Sequence, residues 1–363
     1  MKLELLKLTN FRNYERISFH PSEKINILYG KNGSGKTNIV EAIYILALTK
    51  SFRTLNDKNL IKKSEEFLRL EGIFYNEKQK NSFKIIFDSK GKTVYIDNDK
   101  IKLLSDYISK INIILFSPSD LKLIKDSPSV RRKYLNIEIS QYDKNYLFYL
   151  NDYNKLLKQR NSYIKQLSLN FNNSFEYLDI LTRELISKGL KVYEYRKQFI
   201  DKINELISIY YNKIALTDNV FIKYKSQYKE KDVDNLLKIY EKNRMRELNF
   251  GKTLIGVHLD DFDIYLDDNN IRDFGSEGQQ KNAIVSLKFA EVDILKEKKG
   301  TYPILILDDI FSELDSEKIN NILNIIPECM QTFITTTEVN KLDEKISKES
   351  KIFKIDKSMV ETE

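Results

Sequence analysis

The chain has 363 residues, with 60 Lys+Arg against 53 Asp+Glu, a net charge of +7, and 41% hydrophobic residues including 20 Phe and 22 Tyr. That excludes wholesale disorder and calls for two or three domains, or one large domain with an insertion; the charge surplus permits nucleic-acid binding without arguing for it. The longest apolar run, residues 42–48, cannot span a bilayer, Lys2, Glu4, Lys7 and Arg12 break up any signal-peptide core, one cysteine excludes an intrachain disulfide and a cysteine-cluster zinc site, and two histidines leave little room for a histidine-based triad or a multi-histidine metal site, so a cytoplasmic protein is expected.

Residues 2–20 alternate apolar and polar, with Leu3, Leu5, Ile17 and Phe19 in matching phases, as edge strands do. Residues 25–29 read as a short buried strand that runs straight into a glycine-rich loop. Residues 37–49 read as a helix, apolar nearly all round and therefore buried. Residues 67–76, 82–88 and 93–97 read as strands, the last two joined by the turn Ser89-Lys90-Gly91-Lys92. Residues 111–116 form another apolar strand, closed by Ser117-Pro118. From about 119 to 250 the texture becomes Leu, Tyr and Lys with little glycine or proline, and reads as helical. Within it Phe171, Leu178, Leu185, Val192, Phe199 and Leu206 recur every seven residues, a stripe that suits packed bundle helices or a short coiled-coil arm. Strand character returns at 253–274, a helix at about 277–298, and strands at 304–307 and 332–337.

Glycine is scarce: 11 residues, where average usage would give about 25. Five of them, Gly30, Gly33, Gly35, Gly275 and Gly278, fall in two short segments. Gly30, Lys31, Asn32, Gly33, Ser34, Gly35, Lys36 and Thr37 fit G-x-x-x-x-G-K-[ST] in full, between a predicted strand and a predicted helix. Backbone N–H groups of such a loop face phosphate oxygens, Lys36 reaches the β- and γ-phosphates, and Thr37 offers its hydroxyl to Mg²⁺. ATP with Mg²⁺ is the expected cofactor. A nucleotidase of this kind also needs an acidic residue at the end of a second central strand. Ile304-Leu305-Ile306-Leu307-Asp308-Asp309 supplies it: Asp308 for the metal and Asp309, with Lys36, for catalysis, as the residue that polarises the attacking water or else as a turn cap. The phosphate loop and this pair stand at opposite ends of the chain, so the helical middle is an insertion into one nucleotidase head.

Phe274-Gly275-Ser276-Glu277-Gly278-Gln279-Gln280-Lys281 opens a predicted helix and resembles the signature of ABC-type ATPases. The bland reading is a Ser-capped helix. The resemblance implies that Ser276, Gly278 and Gln279 bind a γ-phosphate held by a second copy, and so an ATP-dependent homodimer.

The whole chain resembles the RecF family, relatives of SMC-type ATPases with short arms. Asn10-Phe11-Arg12-Asn13-Tyr14, Ser51-Phe52-Arg53-Thr54, Phe116-Ser117-Pro118 with Asp120-Leu121, Arg131-Arg132, Leu156, Gln159-Arg160-Asn161 and the run from Asp308 to Asp315 carry that resemblance. It implies an α/β ABC/SMC-type head with a mixed sheet and an antiparallel β subdomain, residues 1–118 and 300–363, and an inserted helical lobe, residues 119–299. It also implies that Arg12 and Asn13 lie near the nucleotide, that Asp315 belongs to a loop that speaks across the dimer, and that Thr335-Thr336-Thr337 stand where transporter ATPases carry a switch histidine. By the same resemblance the ATP-bound dimer binds duplex DNA next to a single-strand gap and, with RecR and RecO, promotes loading of RecA in repair, replication restart and SOS induction. Two departures stand out: Gly256-Val257-His258-Leu259-Asp260-Asp261 where the family usually has Gly-Pro-His-Arg-Asp-Asp, and Asp126 where it usually has Gly. Asp120 is a weak candidate for the lobe-joining glutamine of transporter ATPases. Asp309 in place of Glu implies slow hydrolysis, and the resemblance implies a weak DNA-dependent ATPase. Only 12 of the 60 basic residues are Arg, so Arg131-Arg132 stand out as phosphate contacts, beside Lys155, Lys158 and Lys165 on one helical face. A transporter ATPase subunit would need a short interval between loop and signature. An SMC-like ATPase that tethers DNA in chromosome structure is the alternative, and would need a longer coiled coil.

Overall fold

The computed structural model describes all residues except 170–173, 216–218, 311–315, 338–349, 357 and 363. In chain order it begins with β1 (Lys2–Phe11), β2 (Tyr14–Phe19), β3 (Ile25–Tyr29), α1 (Lys36–Leu48), β4 (Leu68–Tyr75), β5 (Lys80–Asp88), β6 (Gly91–Ile96), β7 (Asp99–Lys100), the one-turn α2 (Leu104–Tyr107) and β8 (Ile113–Phe116). The helical middle holds α3 (Lys122–Lys125), α4 (Pro128–Tyr142), α5 (Lys144–Leu169) and α6 (Glu176–Ala215), then β9 (Val220–Lys225) and α7 (Val233–Phe250). There follow β10 (Asp261–Leu266), β11 (Asn269–Asn270), α8 (Ile271–Phe274), α9 (Glu277–Lys299), β12 (Ile304–Asp308), α10 (Ser316–Ile325), β13 (Thr332–Thr336), β14 (Lys351–Asp356) and β15 (Met359–Thr362). No helix among the described residues is long and apolar enough to cross a membrane.

The chain divides into two units. The first is Met1–Leu121, Ile209–Thr217 and Ile284–Glu363; the second is Lys122–Ser208 and Asp218–Ala283. The sequence reading assigns 284–299 to the inserted lobe. Here they lie with the first unit, because α9 is apolar on most sides from Ala283 onward: Ile284, Leu287, Ala290, Val292 and Ile294 are all buried.

In the first unit one sheet has the order β2-β1-β4-β5-β6-β7, all antiparallel, and the other the order β15-β14-β3-β13-β12-β8. In the second sheet β14, β3, β13, β12 and β8 are parallel, and β15 adds an antiparallel edge. The alternation over residues 2–20 suggests edge strands; only β2 is one, since β1 pairs with β2 on one side and β4 on the other. Alternation reports a strand with one buried face, and is silent on whether both of its edges are paired. Helix α1 packs against β4 and β5 of one sheet and β13, β12 and β8 of the other. That double cover is why it is apolar nearly all round.

The second unit carries the sheet β11-β10-β9 and the helices α3 to α8. β9 interrupts a stretch whose texture reads as helical. Its sequence VFIKYK alternates, and Val220 and Ile222 face inward. Its outer edge is closed by α6, not by another strand: Ile222 N donates to Asn204 Oδ1 at 2.7 Å while Asn204 Nδ2 donates to Ile222 O at 2.9 Å, and the Ser208 hydroxyl serves Val220 in the same way. Strand character expected over 253–274 is confined to β10 and β11. The seven-residue stripe lies on the single 40-residue helix α6, with Leu178, Leu185, Val192 and Phe199 buried; Phe171 lies outside the described residues.

Asp260 and Asp261 each anchor an arginine in this unit. Arg196 donates to Asp260 at 2.8 Å, to Val257 O, to Tyr146 and to Asn136. Arg131 makes a two-pronged pair with Asp261 and also donates to Leu123 O and Asp126 O. Arg131 is buried, and Arg132 donates to Asp260 O. The paired arginines that the sequence offers as phosphate contacts are thus engaged within the unit. Replacing Arg131 by Ala leaves Asp261 beside an empty guanidinium slot, and should lower stability by about 3 kcal/mol, measured by urea unfolding.

Candidate nucleotide site

β3 ends at Tyr29 and the chain turns through Gly30 to Gly35 into α1. Gly35 has φ +117°, and a Cβ there would stand 2.6 Å from the Tyr14 hydroxyl, so the position excludes any side chain. Gly30 has a similar restriction, since a Cβ would lie 2.2 Å from Ile355 O. The turn between β1 and β2 is stitched to the loop. Tyr14 OH donates to Gly35 O at 3.1 Å, Asn13 Nδ2 to Ser34 O at 3.5 Å, and Asn38 Nδ2 to Asn13 Oδ1 at 2.6 Å. Asn13 therefore stands at the loop.

Lys36 is buried, and its Nζ donates to Gly30 O at 2.7 Å and Lys31 O at 3.0 Å, which draws the loop into a ring around the ammonium. Burial pushes its pKa down, while Asp309 and Asp308 pull it up. Lys31, Asn32 and Gly33 form the exposed rim. Ser34 Oγ is buried and has no hydrogen-bond partner in the chain. A hydroxyl left open in a glycine-rich loop that leads into a helix N-terminus suits an anion.

Asp308 ends β12, and β13 delivers Thr335 beside it. Asp308 Oδ1 accepts from Thr37 Oγ1 at 3.0 Å and from Thr335 Oγ1 at 2.7 Å. Burial raises the pKa of Asp308; the two hydroxyls hold it down and Asp309 raises it further. A cation at this point would offset the cost of burying the carboxylate. Among the described residues no group of three His, Cys, Asp or Glu could hold a metal. Asp309 follows with φ +53°, and its backbone N–H donates to Thr335 Oγ1 at 3.0 Å. This left-handed turn directs the chain out of the strand just after Asp308.

Arg12 is held by Glu41. Arg12 Nε and Nη2 donate to the two Glu41 oxygens at 3.0 and 2.7 Å, and Nη1 donates to Asn59 O. Glu41 is fully buried on α1, and also accepts from Ser51 Oγ at 2.5 Å and Arg53 Nη1 at 3.2 Å. Arg53 Nη1 further donates to Asn38 Oδ1 at 2.7 Å. Glu41, Arg53, Asn38 and Thr335 were absent from the expected site residues as a linked set. The available signal was Glu41, a lone acid in an otherwise apolar helix.

Asp120 caps the turn after β8, where its carboxylate accepts from Ser117 N at 2.7 Å; burial pushes its pKa up and Lys288 pulls it down. Asp315 lies outside the described residues. Ser276, Gly278 and Gln279 belong to the second unit. Ser276 Oγ accepts from Gln279 N at 3.2 Å, and Ser276 N donates to Gln279 Oε1 at 2.9 Å, a reciprocal cap that starts α9. A Cβ on Gly278 would meet nothing nearer than Ser276 Oγ at 4.0 Å. The chain itself places no steric demand for glycine there.

The family model for the RecF/RecN/SMC N-terminal domain matches residues 2–361. The chain is 39% identical over 364 residues to the DNA replication and repair protein RecF of Pediococcus pentosaceus, covering 98% of this chain and 97% of that one. It is 38% identical to the protein of the same name from Halalkalibacterium halodurans, with 98% of each covered. Among solved structures, one described as the recombination mediator protein RecF with ATPrS in the RecFOR pathway superposes with a TM-score of 0.90 at 29% identity, covering 99% of this chain and 98% of that one. An SMC head bound to the C-winged helix domain of ScpA superposes with a TM-score of 0.55 at 14% identity, over 100% and 97% of the two chains, a likeness of fold alone. Near-complete coverage by relatives above 35% identity, on an ABC/SMC-type head with its phosphate loop, shows that the chain belongs to the RecF family of RecF/RecN/SMC proteins.

Proposed function

We propose that this chain is an ATP-binding DNA replication and repair protein that acts as an ATP-gated homodimeric clamp on DNA. The observation that carries the reading is the hydrogen bond from Thr37 to Asp308, which joins the phosphate loop to the acidic strand end from the other end of the chain. Lys36 and the loop amides hold the β- and γ-phosphates, and Thr37 and Asp308 are the residues that would hold Mg²⁺. When bound, that ion neutralises phosphate charge. Asp309 orients a water toward the γ-phosphate and accepts its proton. Ser276, Gly278 and Gln279 of one copy close on the γ-phosphate held by the second, so hydrolysis removes the contact that binds the two copies together.

The relatives' names, a DNA replication and repair protein and a recombination mediator of the RecFOR pathway, support a role in DNA repair; in this reading the clamp sits on duplex DNA beside single-strand gaps and, with RecR and RecO, promotes RecA loading. Lys155, Lys158 and Lys165 are exposed on α5 and suit backbone phosphates, so binding should weaken steeply with salt. Burial of the α6 stripe within its own unit takes away the feature that would favour a long tethering arm. Sedimentation with Mg²⁺-ATP or Mg²⁺-ADP, with and without a gapped duplex, tests the reading. The expected result is a DNA-bound dimer with ATP and a monomer with ADP; a monomer under all conditions refutes it.

A further inference from the structure

Two strongly exposed apolar side chains flank the two half-sites. Leu55 is 89% exposed and stands two residues after Arg53, in the segment tied to α1; Phe274 is 75% exposed and stands two residues before Ser276. Single exposed apolar residues are common and need no explanation. These two differ in being held out on stapled backbone. Ser51 Oγ accepts from Arg53 N at 2.9 Å and Thr54 N at 3.1 Å, Thr54 Oγ1 accepts from Asn56 N at 3.1 Å, and Asn56 Oδ1 accepts from Lys58 N at 3.1 Å. Leu55 sits at the centre of that series of caps. Phe274 ends α8, where Gly275 N donates to Ile271 O, Gln280 Nε2 donates to both Ile271 O and Gly275 O at 3.1 Å, and Arg272 Nε donates to Ile124 O at 2.7 Å. These bonds fix the backbone that carries each side chain.

We infer that Leu55 of one copy packs against Phe274 of the partner subunit when ATP joins the phosphate loop of the first to the signature of the second. The inference rests on the ATP-gated dimer reading above. A second copy is the occupant that fits, because Leu55 and Phe274 stand beside the two elements that a loop-to-signature dimer brings together. One stands beside the element that holds the phosphate, and the other beside the element whose glycine leaves room for a partner. A two-fold axis that joins loop to signature once must do so twice, so each dimer forms the contact two times. Burial of both pairs adds an apolar seal at the rim of the nucleotide, where water would otherwise enter.

The test uses the full chain with its only native thiol removed by Cys329→Ser, carrying Leu55→Cys and Phe274→Cys together, and a short bismaleimide as probe. A covalent dimer is expected in Mg²⁺-ATP, and none in Mg²⁺-ADP or in either single-cysteine chain. In parallel, Phe274→Ser should weaken the ATP-dependent dimer by on the order of a hundredfold, because the contact is lost twice, and should leave thermal unfolding unchanged because the ring is exposed. If the wild-type chain dimerises with ATP, yet the double-cysteine chain gives no cross-link and Phe274→Ser dimerises like the wild type, the contact is refuted and the clamp stands. If the wild-type chain never dimerises with ATP, the clamp reading itself fails and the contact fails with it.

Discussion

Ser276→Arg should abolish the ATP-dependent dimer and leave ATP binding to each chain within a few-fold of wild type. Ser276 is exposed and caps α9, and Gly278 faces open space. In the clamp reading a γ-phosphate from the second copy lies against this helix start. An arginine side chain occupies the volume that phosphate needs, and removes the hydroxyl. Loss of the cap costs about 1 kcal/mol of helix stability, too little to unfold the unit. Dimer affinity should fall at least about a hundredfold, the scale of losing a charge-assisted hydrogen bond and the packing around it in both sites. Sedimentation reads the dimer, and binding of a fluorescent ATP analogue reads the loop. A variant that still dimerises with ATP rules out the signature as a trans clamp; a variant that also loses ATP binding places Ser276 within the chain's own site.

The second large effect is expected at Asp309. Asp309→Asn should slow ATP hydrolysis by about a hundredfold to ten-thousandfold, the range for removing a general base, while the ATP-bound dimer accumulates. The substitution isolates chemistry from folding. Residue 309 has φ +53°, a conformation that Asn adopts as readily as Asp, so the turn is kept. Its backbone N–H still reaches Thr335. Asp308, the carboxylate that meets Thr37, is untouched. Phosphate release measures the rate and sedimentation measures the trapped dimer. Unchanged hydrolysis would reduce Asp309 to a turn residue that positions Asp308.

Most of the nucleotide half-site could be read without coordinates, because its logic is local. A strand, a loop with glycine at Gly30 and Gly35, a lysine and a threonine are contiguous, and each residue's task follows from its distance along the chain to the next. Arg131 shows the opposite case. As one of two adjacent arginines in an arginine-poor chain it reads as a phosphate contact, yet it is buried against Asp261, 130 residues away. A guanidinium serves a buried carboxylate and a phosphate by the same fork of donors, so sequence cannot tell which partner it has. β9 was missed because its neighbours are helical and its outer edge is satisfied by Asn204 and Ser208, side chains whose task in a strand ladder has no sequence signature. Glu41 escaped because a lone acid in an apolar helix signals only that some partner exists. That two arginines and a serine converge on it is settled by the packing of the β1–β2 turn and the segment after α1.

The sequence by itself determined the family, the phosphate loop, the strand that ends in Asp308 and the order of the motifs, since these depend on residue type and short spacing. Only the tertiary structure decided which charges are engaged and which are displayed. Arg12 and Arg53 are tied to Glu41, Arg131 and Arg196 to the Asp260–Asp261 pair, and Thr335 shares Asp308 with Thr37. The physical reason is that an ionised side chain finds its lowest free energy with whichever partner the fold brings within hydrogen-bond reach, and that partner stands anywhere from 29 to 130 residues away in the Arg12–Glu41 and Arg131–Asp261 pairs.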